Sequence, residues 1–236
     1  MTVGLLAVEL GVIWRLDSRG RLPGPEEVVI GVAADGMTAA VCADVPDPLA
    51  ARLLDLVSRS APPPPGEPPD ALARCDTLLG GGRTVSGGPC YLVRPPLPFE
   101  APAEVLRSDD PSHAARARPP RPPNWEPEEW DELVAGGAGA PWAMIVEDGQ
   151  VAAICHSARL TPEGAEAGTW TSPAFRGRGY AAATTAAWAG LLPGLHLFYS
   201  TSAGNRSSQR VAERLGLRAI GRLWKLTPAG HAPVPS

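Results

Sequence analysis

Six residues in the C-terminal half combine glycine and arginine in a way that suits the binding of a phosphate group. Residues 176–181 read Arg-Gly-Arg-Gly-Tyr-Ala and lie between a strand-like segment and an alanine-rich, helix-like one. Glycine lets the backbone approach an anion closely, and the first N–H groups of a helix point outward with the positive end of the helix dipole behind them. The pattern therefore predicts a site for a pyrophosphate.

The segments on either side supply the elements that such a loop needs. Trp142 to Val146 and Val151 to His156 are predicted as strands, because the Asp-Gly pair between them favours a tight hairpin turn. Glu166 to Thr171 is predicted as a third strand that leads into the glycine loop. Tyr180 to Leu192 is predicted as the following helix, which Pro193-Gly194 ends.

Three more predicted strands or helices follow this helix, and one helix precedes the hairpin of the first two strands. Leu195 to Thr201 is predicted as a strand, Asn205 suits the cap of a helix that runs to Leu215, and Leu217 to Leu226 is predicted as a closing strand. Trp125 to Val134 is predicted as a helix before the first strand. The order in this half is helix, three strands, glycine loop, helix, strand, helix, strand.

The glycine loop resembles the acetyl-CoA motif of the GNAT superfamily of acyl-CoA-dependent N-acetyltransferases. That motif is Gln/Arg-x-x-Gly-x-Gly/Ala, and Arg176, Gly179 and Ala181 fit it. The resemblance, which covers roughly residues 124 to 228, implies that backbone groups here bind the pyrophosphate of acetyl-CoA. The implied binding residues of the loop are Arg176, Gly177, Arg178, Gly179, Tyr180, Ala181 and Ala182.

A second GNAT signature follows at the next helix. It is an opening asparagine, a small residue three positions later and a Leu-Gly-Phe ending, which appear here as Asn205, Ser208 and Leu-Gly-Leu at 215–217. The resemblance implies that Asn205 and Ser208 face the pantetheine arm or the phosphates, and helix capping by Asn205 is a compatible role. The strand residues implied to pair with the pantetheine amides, as an added strand would, are Thr169, Trp170 and Thr171.

Acetyl transfer to an amine needs a base that takes a proton from the ammonium, and an acid that protonates the departing thiolate. Glu166 stands at the start of a strand, where many GNAT enzymes carry a glutamate that serves as the base. His156 ends the preceding strand and is a second candidate base or an orienting partner. The alternative roles are a solvated surface group for Glu166 and a packing residue for His156.

One position departs from the family pattern. GNAT enzymes often carry an acid tyrosine seven residues after the opening asparagine, and this position is Ala212. Tyr199, Tyr180, a serine or water is left as the proton donor. Two hypotheses follow: an N-acetyltransferase that acts on a small-molecule amine by direct attack in a ternary complex, or a non-catalytic acyl-CoA-binding module. The presence of Glu166 favours the enzyme.

A dinucleotide-binding Rossmann fold is the main alternative for the glycine loop, besides an ordinary turn with solvated arginines. It requires its glycines directly after the first strand of a parallel βαβ unit, and an acid about twenty residues later. The strands before this loop form a hairpin, and residues 195–200 contain no acid. The GNAT interpretation is therefore preferred.

Proline-rich stretches at 61–69 and 108–123 divide the chain. We predict an N-terminal α+β unit of unknown role at 1–106, an extended Pro/Arg-rich linker at 107–123, a GNAT-like domain at 124–228 and a disordered tail at 229–236. In the N-terminal unit, residues 27–34 and 38–45 predict a hairpin and residues 48–58 a helix. The fold class is α+β, with a mixed, mostly antiparallel GNAT-like sheet flanked by helices in the C-terminal half.

Composition limits the partners and the compartment. The chain of 236 residues has a net charge of −4 and no basic patch, which argues against nucleic acid. Its apolar start, Val3 to Trp14, has no basic residue before it and contains Glu9, so we predict that it is not an export signal, and it is too short to span a bilayer. Lys225 is the single lysine, a bias typical of a GC-rich bacterial genome. We predict a cytoplasmic protein with no membrane partner.

The cofactor prediction is acetyl-CoA as cosubstrate, without a metal. The four cysteines, Cys42, Cys75, Cys90 and Cys155, contain no C-x-x-C pair and are predicted as reduced, buried thiols. The predicted partners are a coenzyme A thioester and an amine acceptor, whose pocket wall we place in residues 125–142, with a contribution from the N-terminal unit left open. A homodimer is left open.

Overall fold

The computed structural model of the chain describes residues 1–118 and 121–230. Its helices are α1 (Thr2–Trp14), α2 (Asp47–Ser58), α3 (Asp70–Leu78), α4 (Pro111–Ala117), α5 (Pro127–Val134), α6 (Tyr180–Ala189) and α7 (Arg206–Arg214). Its strands are β1 (Val28–Ala33), β2 (Gly36–Val41), β3 (Thr84–Val93), β4 (Leu106–Arg107), β5 (Trp142–Glu147), β6 (Gln150–Leu160), β7 (Gly164–Thr171), β8 (His196–Ser200) and β9 (Arg218–Thr227). A 3-10 turn, Pro173–Phe175, precedes α6.

The chain divides into two compact units. The first comprises residues 1–91, 200–206 and the chain from Arg218 onward. In it, β1 pairs antiparallel with β2 and with β9. Helices α2 and α3 bury apolar side chains together with these strands, including Ile30, Leu53 and Leu72. This unit is an α+β structure that the last strand of the chain completes.

The second unit comprises residues 92–199 and 207–217. Its strands lie in the order β8-β7-β6-β5-β4, and all neighbours are antiparallel except β7 and β8, which run parallel. The hairpin of β5 and β6 turns at Asp148 and Gly149, both with positive φ. The predicted fold class is confirmed: the sheet is mixed, mostly antiparallel and flanked by helices.

Successive residues of a strand point to opposite faces of a sheet, and two neighbouring residues of β5 illustrate this. Met144 packs with Trp130 and Leu133 of α5 in one buried cluster. Its neighbour Ile145 packs with Tyr180 and other residues at the start of α6 in another. The sheet of the second unit therefore has one face covered by α4 and α5, the α5 face, and one covered by α6, the α6 face.

The predicted linker at 107–123 is partly structured, which differs from the sequence-based expectation. Helix α4 begins after Asp110, whose side chain accepts a hydrogen bond from the Ser112 backbone N–H at 2.9 Å, with Pro111 in the first turn. Aspartate before proline is a strong helix start, because it caps a free N–H and proline fits the first turn. Ala117 at the other end is buried, so this helix packs despite the surrounding prolines.

Other boundaries also differ from the predicted ones. Helix α3 and strands β3 and β4 were not predicted, and β9 pairs with β1 of the first unit, Val28 opposite Leu226. The second unit begins at Leu92, well before residue 124. The predicted tail at 229–236 lies mostly outside the described residues. The four cysteines are free and buried, as predicted.

Candidate functional site

The glycine loop adopts a conformation that depends on both of its glycines. Gly177 has φ +82°, and Gly179, which caps α6, has φ +86°. Only glycine adopts these left-handed values without strain. The first helical bond runs from the Ala183 N–H to the Gly179 carbonyl at 3.1 Å, which leaves the N–H groups of residues 180–182 without acceptors inside the helix. The loop thus ends in a helix start suited to an anion.

Arg214 of α7 lies beside this helix start and was not among the predicted site residues. A Cβ atom added at Gly179 would stand 3.1 Å from the Arg214 guanidinium carbon and from both terminal nitrogens. The guanidinium also lies over the ring of Phe99, 5.4 Å from its centre. Within residues 1–118 and 121–230, no carboxylate forms an ion pair with Arg214. A cation therefore lies next to the N–H groups that have no acceptor inside the helix.

Glu147, at the end of β5, contacts two side chains of the glycine loop. It accepts hydrogen bonds from Arg178 at 3.1 Å and from the Tyr180 hydroxyl. Arg178 also lies over the Phe175 ring, 5.0 Å from its centre. These two loop side chains hold the loop in shape, which leaves its backbone and the exposed Arg176 to meet a ligand.

Strands β7 and β8 separate soon after they meet. They pair over three residues of each strand, Gly164 to Glu166 beside His196 to Phe198. The described residues include no β7–β8 pair beyond Glu166, although β7 continues to Thr171 and stays paired with β6 on its other edge. We call the gap beside Thr169, Trp170 and Thr171, which are partly exposed, the β7–β8 opening. An open strand edge can hydrogen-bond an extended chain.

The hydroxyl of Tyr199 lies at the β7–β8 opening. It is 3.3 Å from the Thr169 hydroxyl, and it also hydrogen-bonds the side chain of Ser208 in the first half of α7. Ala212 is buried one helical turn beyond Ser208. Asn205 directly precedes α7. The fold therefore brings Ser208 to the opening, next to a tyrosine that the sequence only named among several possible acids.

Glu166 and His156 lie on the α5 face of the sheet. His156 is opposite Gly168 across β6 and β7, and a Cβ at Gly168 would be 2.5 Å from the imidazole Nε2. Glu166 lies two residues before Gly168 on β7, so its side chain points to the same face as His156. The Glu166 side chain is buried, and the edge of the His156 ring meets Trp125 with 5.1 Å between ring centres.

Burial, and then the positive charge of Arg159, lowers the pKa of His156 to about 4. A general base works best when its pKa lies near the operating pH, so a neutral imidazole with so low a pKa is a weak base. The contacts with Trp125 and Gly168 indicate packing and positioning instead. Glu166 is thus the stronger of the two candidates for the base.

The lowered pKa of His156 has a consequence for stability in acid. The unfolded chain binds this proton near pH 6.5 and the folded chain only near pH 4, so the free energy of unfolding should fall between these values as the pH drops. The loss should be on the order of 3 kcal/mol. We expect His156→Phe to flatten this part of the pH profile in urea titrations. The wild-type chain is the control, and an equal slope in the wild type and in His156→Phe would contradict the shift.

The described residues contain no cluster of three or more His, Cys, Asp or Glu side chains that could hold a metal ion. No described helix has both the length and the apolar character needed to cross a membrane.

Comparison with known proteins places the chain in a family. The family model described as an acetyltransferase (GNAT) domain matches residues 93–218, slightly more than half of the 236 residues. No curated protein matches the chain. A tandem GNAT protein from the clavulanic acid biosynthesis pathway, solved without AcCoA, is 15% identical, with 98% of this chain and 96% of that chain covered and a TM-score of 0.50.

Two further solved structures have similar TM-scores. A GCN5-related N-acetyltransferase from Kribbella flavida is 18% identical, with 95% and 96% of the two chains covered and a TM-score of 0.49. An acetyltransferase from the GNAT family from Colwellia psychrerythraea is 16% identical, with 84% and 81% covered and a TM-score of 0.48. The family model decides the assignment, because it matches more than half of the chain: the chain belongs to the GNAT acetyltransferase family.

Proposed function

We propose that the protein transfers an acetyl group from acetyl-CoA to the amine of a small molecule by direct attack in a ternary complex. The observation that carries this proposal is the β7–β8 opening, which leads along β7 to the glycine loop and has the buried Glu166 beside its closed end. One strand edge thus connects a site suited to a pyrophosphate with a site suited to a base.

The parts of acetyl-CoA fit successive parts of this surface. The pyrophosphate binds the N–H groups of residues 176–182, and Arg214 adds a positive charge at 3.1 Å from the position of a Gly179 side chain. The pantetheine arm lies in the opening and hydrogen-bonds the free edge of residues 169–171, as an added strand would. Ser208 borders the arm, and Asn205 orients the start of α7. The thioester then lies near Glu166, where the strands join.

The acceptor amine approaches from the α5 face. Glu166 takes its proton, directly or through one water molecule, and the neutral nitrogen attacks the thioester carbonyl. Two partly exposed tryptophans, Trp125 and Trp170, lie on this face, and such rings attract an ammonium group through their π faces. A small amine with an apolar or aromatic body is therefore the favoured acceptor.

A non-catalytic acyl-CoA-binding module is the second candidate. It is favoured by Ala212, which stands where many family members carry the acid tyrosine and which is fully buried. Release of free thiol from acetyl-CoA, measured with a panel of small amines, separates the two candidates. Turnover with any amine supports the enzyme, whereas tight acetyl-CoA binding without turnover on every acceptor favours the module.

Arg214 gives a test of the proposed cofactor site that is independent of the glycines. Arg214→Gln should raise the Kd for acetyl-CoA about tenfold, because the loss of one charge beside a phosphate removes about 1.4 kcal/mol of binding energy. Isothermal titration calorimetry measures this. The control is Arg218→Gln, which removes another exposed arginine at the start of β9 and should leave the Kd unchanged. Equal affinities in the two variants would remove Arg214 from the site.

A further inference from the structure

Tyr199 combines burial with a fixed hydroxyl group. The side chain is 2% exposed, and its hydroxyl is held between two others, that of Thr169 on β7 at 3.3 Å and that of Ser208 on α7. Because Phe198 is the last β8 residue paired with β7, Tyr199 is the first residue of β8 at the β7–β8 opening. Its hydroxyl thus lies at the closed end of the β7–β8 opening.

The side chains at the opening divide between the two faces of the sheet. Thr169 lies opposite Cys155, which hydrogen-bonds Thr185 of α6, so Thr169 and the Tyr199 hydroxyl lie on the α6 face. Glu166 is three residues from Thr169 along β7 and points to the α5 face. A thioester at the closed end of the opening would have the carboxylate on one side and the phenol on the other.

We propose that Tyr199 is the proton donor to the departing coenzyme A thiolate, held in place by Thr169 and Ser208. This inference rests on the proposed acetyltransferase function. The amine nitrogen forms its bond to the carbonyl carbon from the α5 face, after Glu166 has taken a proton from it. The carbon–sulfur bond then breaks, its electron pair stays on sulfur, and the sulfur takes the phenolic proton from the Tyr199 Oη. The nitrogen gives up its second proton to water as the amide forms, and Glu166 releases the first one to solvent. The phenolate regains a proton from solvent through the Ser208 hydroxyl.

Other donors are less well placed. Ala212, at the position of the family's acid tyrosine, has no proton to give. It lies one turn from Ser208 on α7, so the Tyr199 hydroxyl, which belongs to a strand, lies near the place where other family members carry that tyrosine on a helix. The Tyr180 hydroxyl already donates a hydrogen bond to Glu147 at the glycine loop. The thiol of Cys155 is buried against α6.

The environment of Tyr199 keeps the phenol protonated at neutral pH. Burial raises its pKa above the ordinary value, the hydrogen bonds with Ser208 and Thr169 oppose this effect, and Cys155 and Glu166 add to it. Among the described residues, Glu166 and Cys155 are the titratable groups that act on this pKa. An acid must hold its proton until the sulfur needs it, and this phenol does.

The test is Tyr199→Phe, which keeps the ring and removes only the hydroxyl. With the amine acceptor that turns over fastest, kcat should fall about 100-fold, while the Kd for acetyl-CoA stays within about threefold. The deficit should shrink as the pH rises past about 8.5, because a thiolate then leaves without a proton. A merely structural role for the hydroxyl would not produce this pH dependence.

Ser58→Ala is the control, because it removes an exposed hydroxyl at the end of α2 and should leave kcat unchanged. If Tyr199→Phe does not fold, Ser208→Ala takes its place, with an expected fall in kcat of about fivefold and the same recovery at high pH. A wild-type enzyme that turns over, together with a Tyr199→Phe variant that keeps half of its kcat, overturns this inference alone. A wild-type protein that binds acetyl-CoA and never releases thiol overturns the proposed function as well.

Discussion

Replacement of Gly179 by glutamate is expected to abolish detectable acetyl-CoA binding while the fold is retained. Gly179 has φ +86°, and a side chain built there meets the Arg214 guanidinium at 3.1 Å. A glutamate would form an ion pair with Arg214 and place a negative charge where the pyrophosphate must bind. We expect the Kd to rise at least about 100-fold, which corresponds to about 2.7 kcal/mol, in isothermal titration calorimetry.

The control must separate the loss of the site from the strain of a non-glycine residue. Gly194 lies after the other end of α6, has φ +85° and has open space around a built Cβ. Gly194→Glu therefore introduces the same side chain with the same backbone strain, and it should leave acetyl-CoA affinity unchanged. Circular dichroism of both variants confirms that the fold survives. Wild-type affinity in Gly179→Glu would end the assignment of the loop to the pyrophosphate.

Replacement of Glu166 by glutamine is expected to lower kcat at least about 100-fold, in the range that mutation of a general base produces. Glutamine has nearly the same shape and cannot take a proton, so acetyl-CoA affinity should remain within about threefold. The site is suited to this comparison because Glu166 is 7% exposed and a change of size there would disturb its neighbours. Free-thiol release at saturating amine measures the effect.

Glu163→Gln provides the matched control. Glu163 is exposed in the turn between β6 and β7, so the same chemical change there should leave kcat at the wild-type value. If Glu166→Gln retained full turnover, another group or bulk water would have to accept the amine proton. If neither protein turned over with any amine, the non-catalytic module would be the better description.

Much of the site was predicted because its signals are local. The left-handed conformations of Gly177 and Gly179 follow from residue type, since other residues are strained there. The Asp148-Gly149 turn between β5 and β6 was predicted for the same reason. Cap and stop residues predicted α5, α6 and α7 to within a few residues: Asn124 and Pro127 for α5, Pro193-Gly194 for α6, and Asn205 and Gly216 for α7.

Helix α4 and strand β9 illustrate where local signals failed. The prolines of 108–123 predicted an extended linker, because composition does not show that Ala117 is buried behind the Asp110-Pro111 helix start. Strand β9 was predicted as a closing strand without a named partner. Its pairing with β1 joins residues such as Val28 and Leu226, and no local pattern encodes so distant a partner.

The sequence by itself determined the order of elements in the C-terminal half, the shape of the glycine loop and the resemblance to the GNAT family, because each depends on residues that are neighbours along the chain. Only the tertiary structure decided that Arg214 lies beside Gly179, that His156 packs over Gly168, and that the hydroxyl of Tyr199 lies between Thr169 and Ser208. These contacts depend on strand register and helix packing between segments that are far apart in sequence, and local propensities do not specify such pairings.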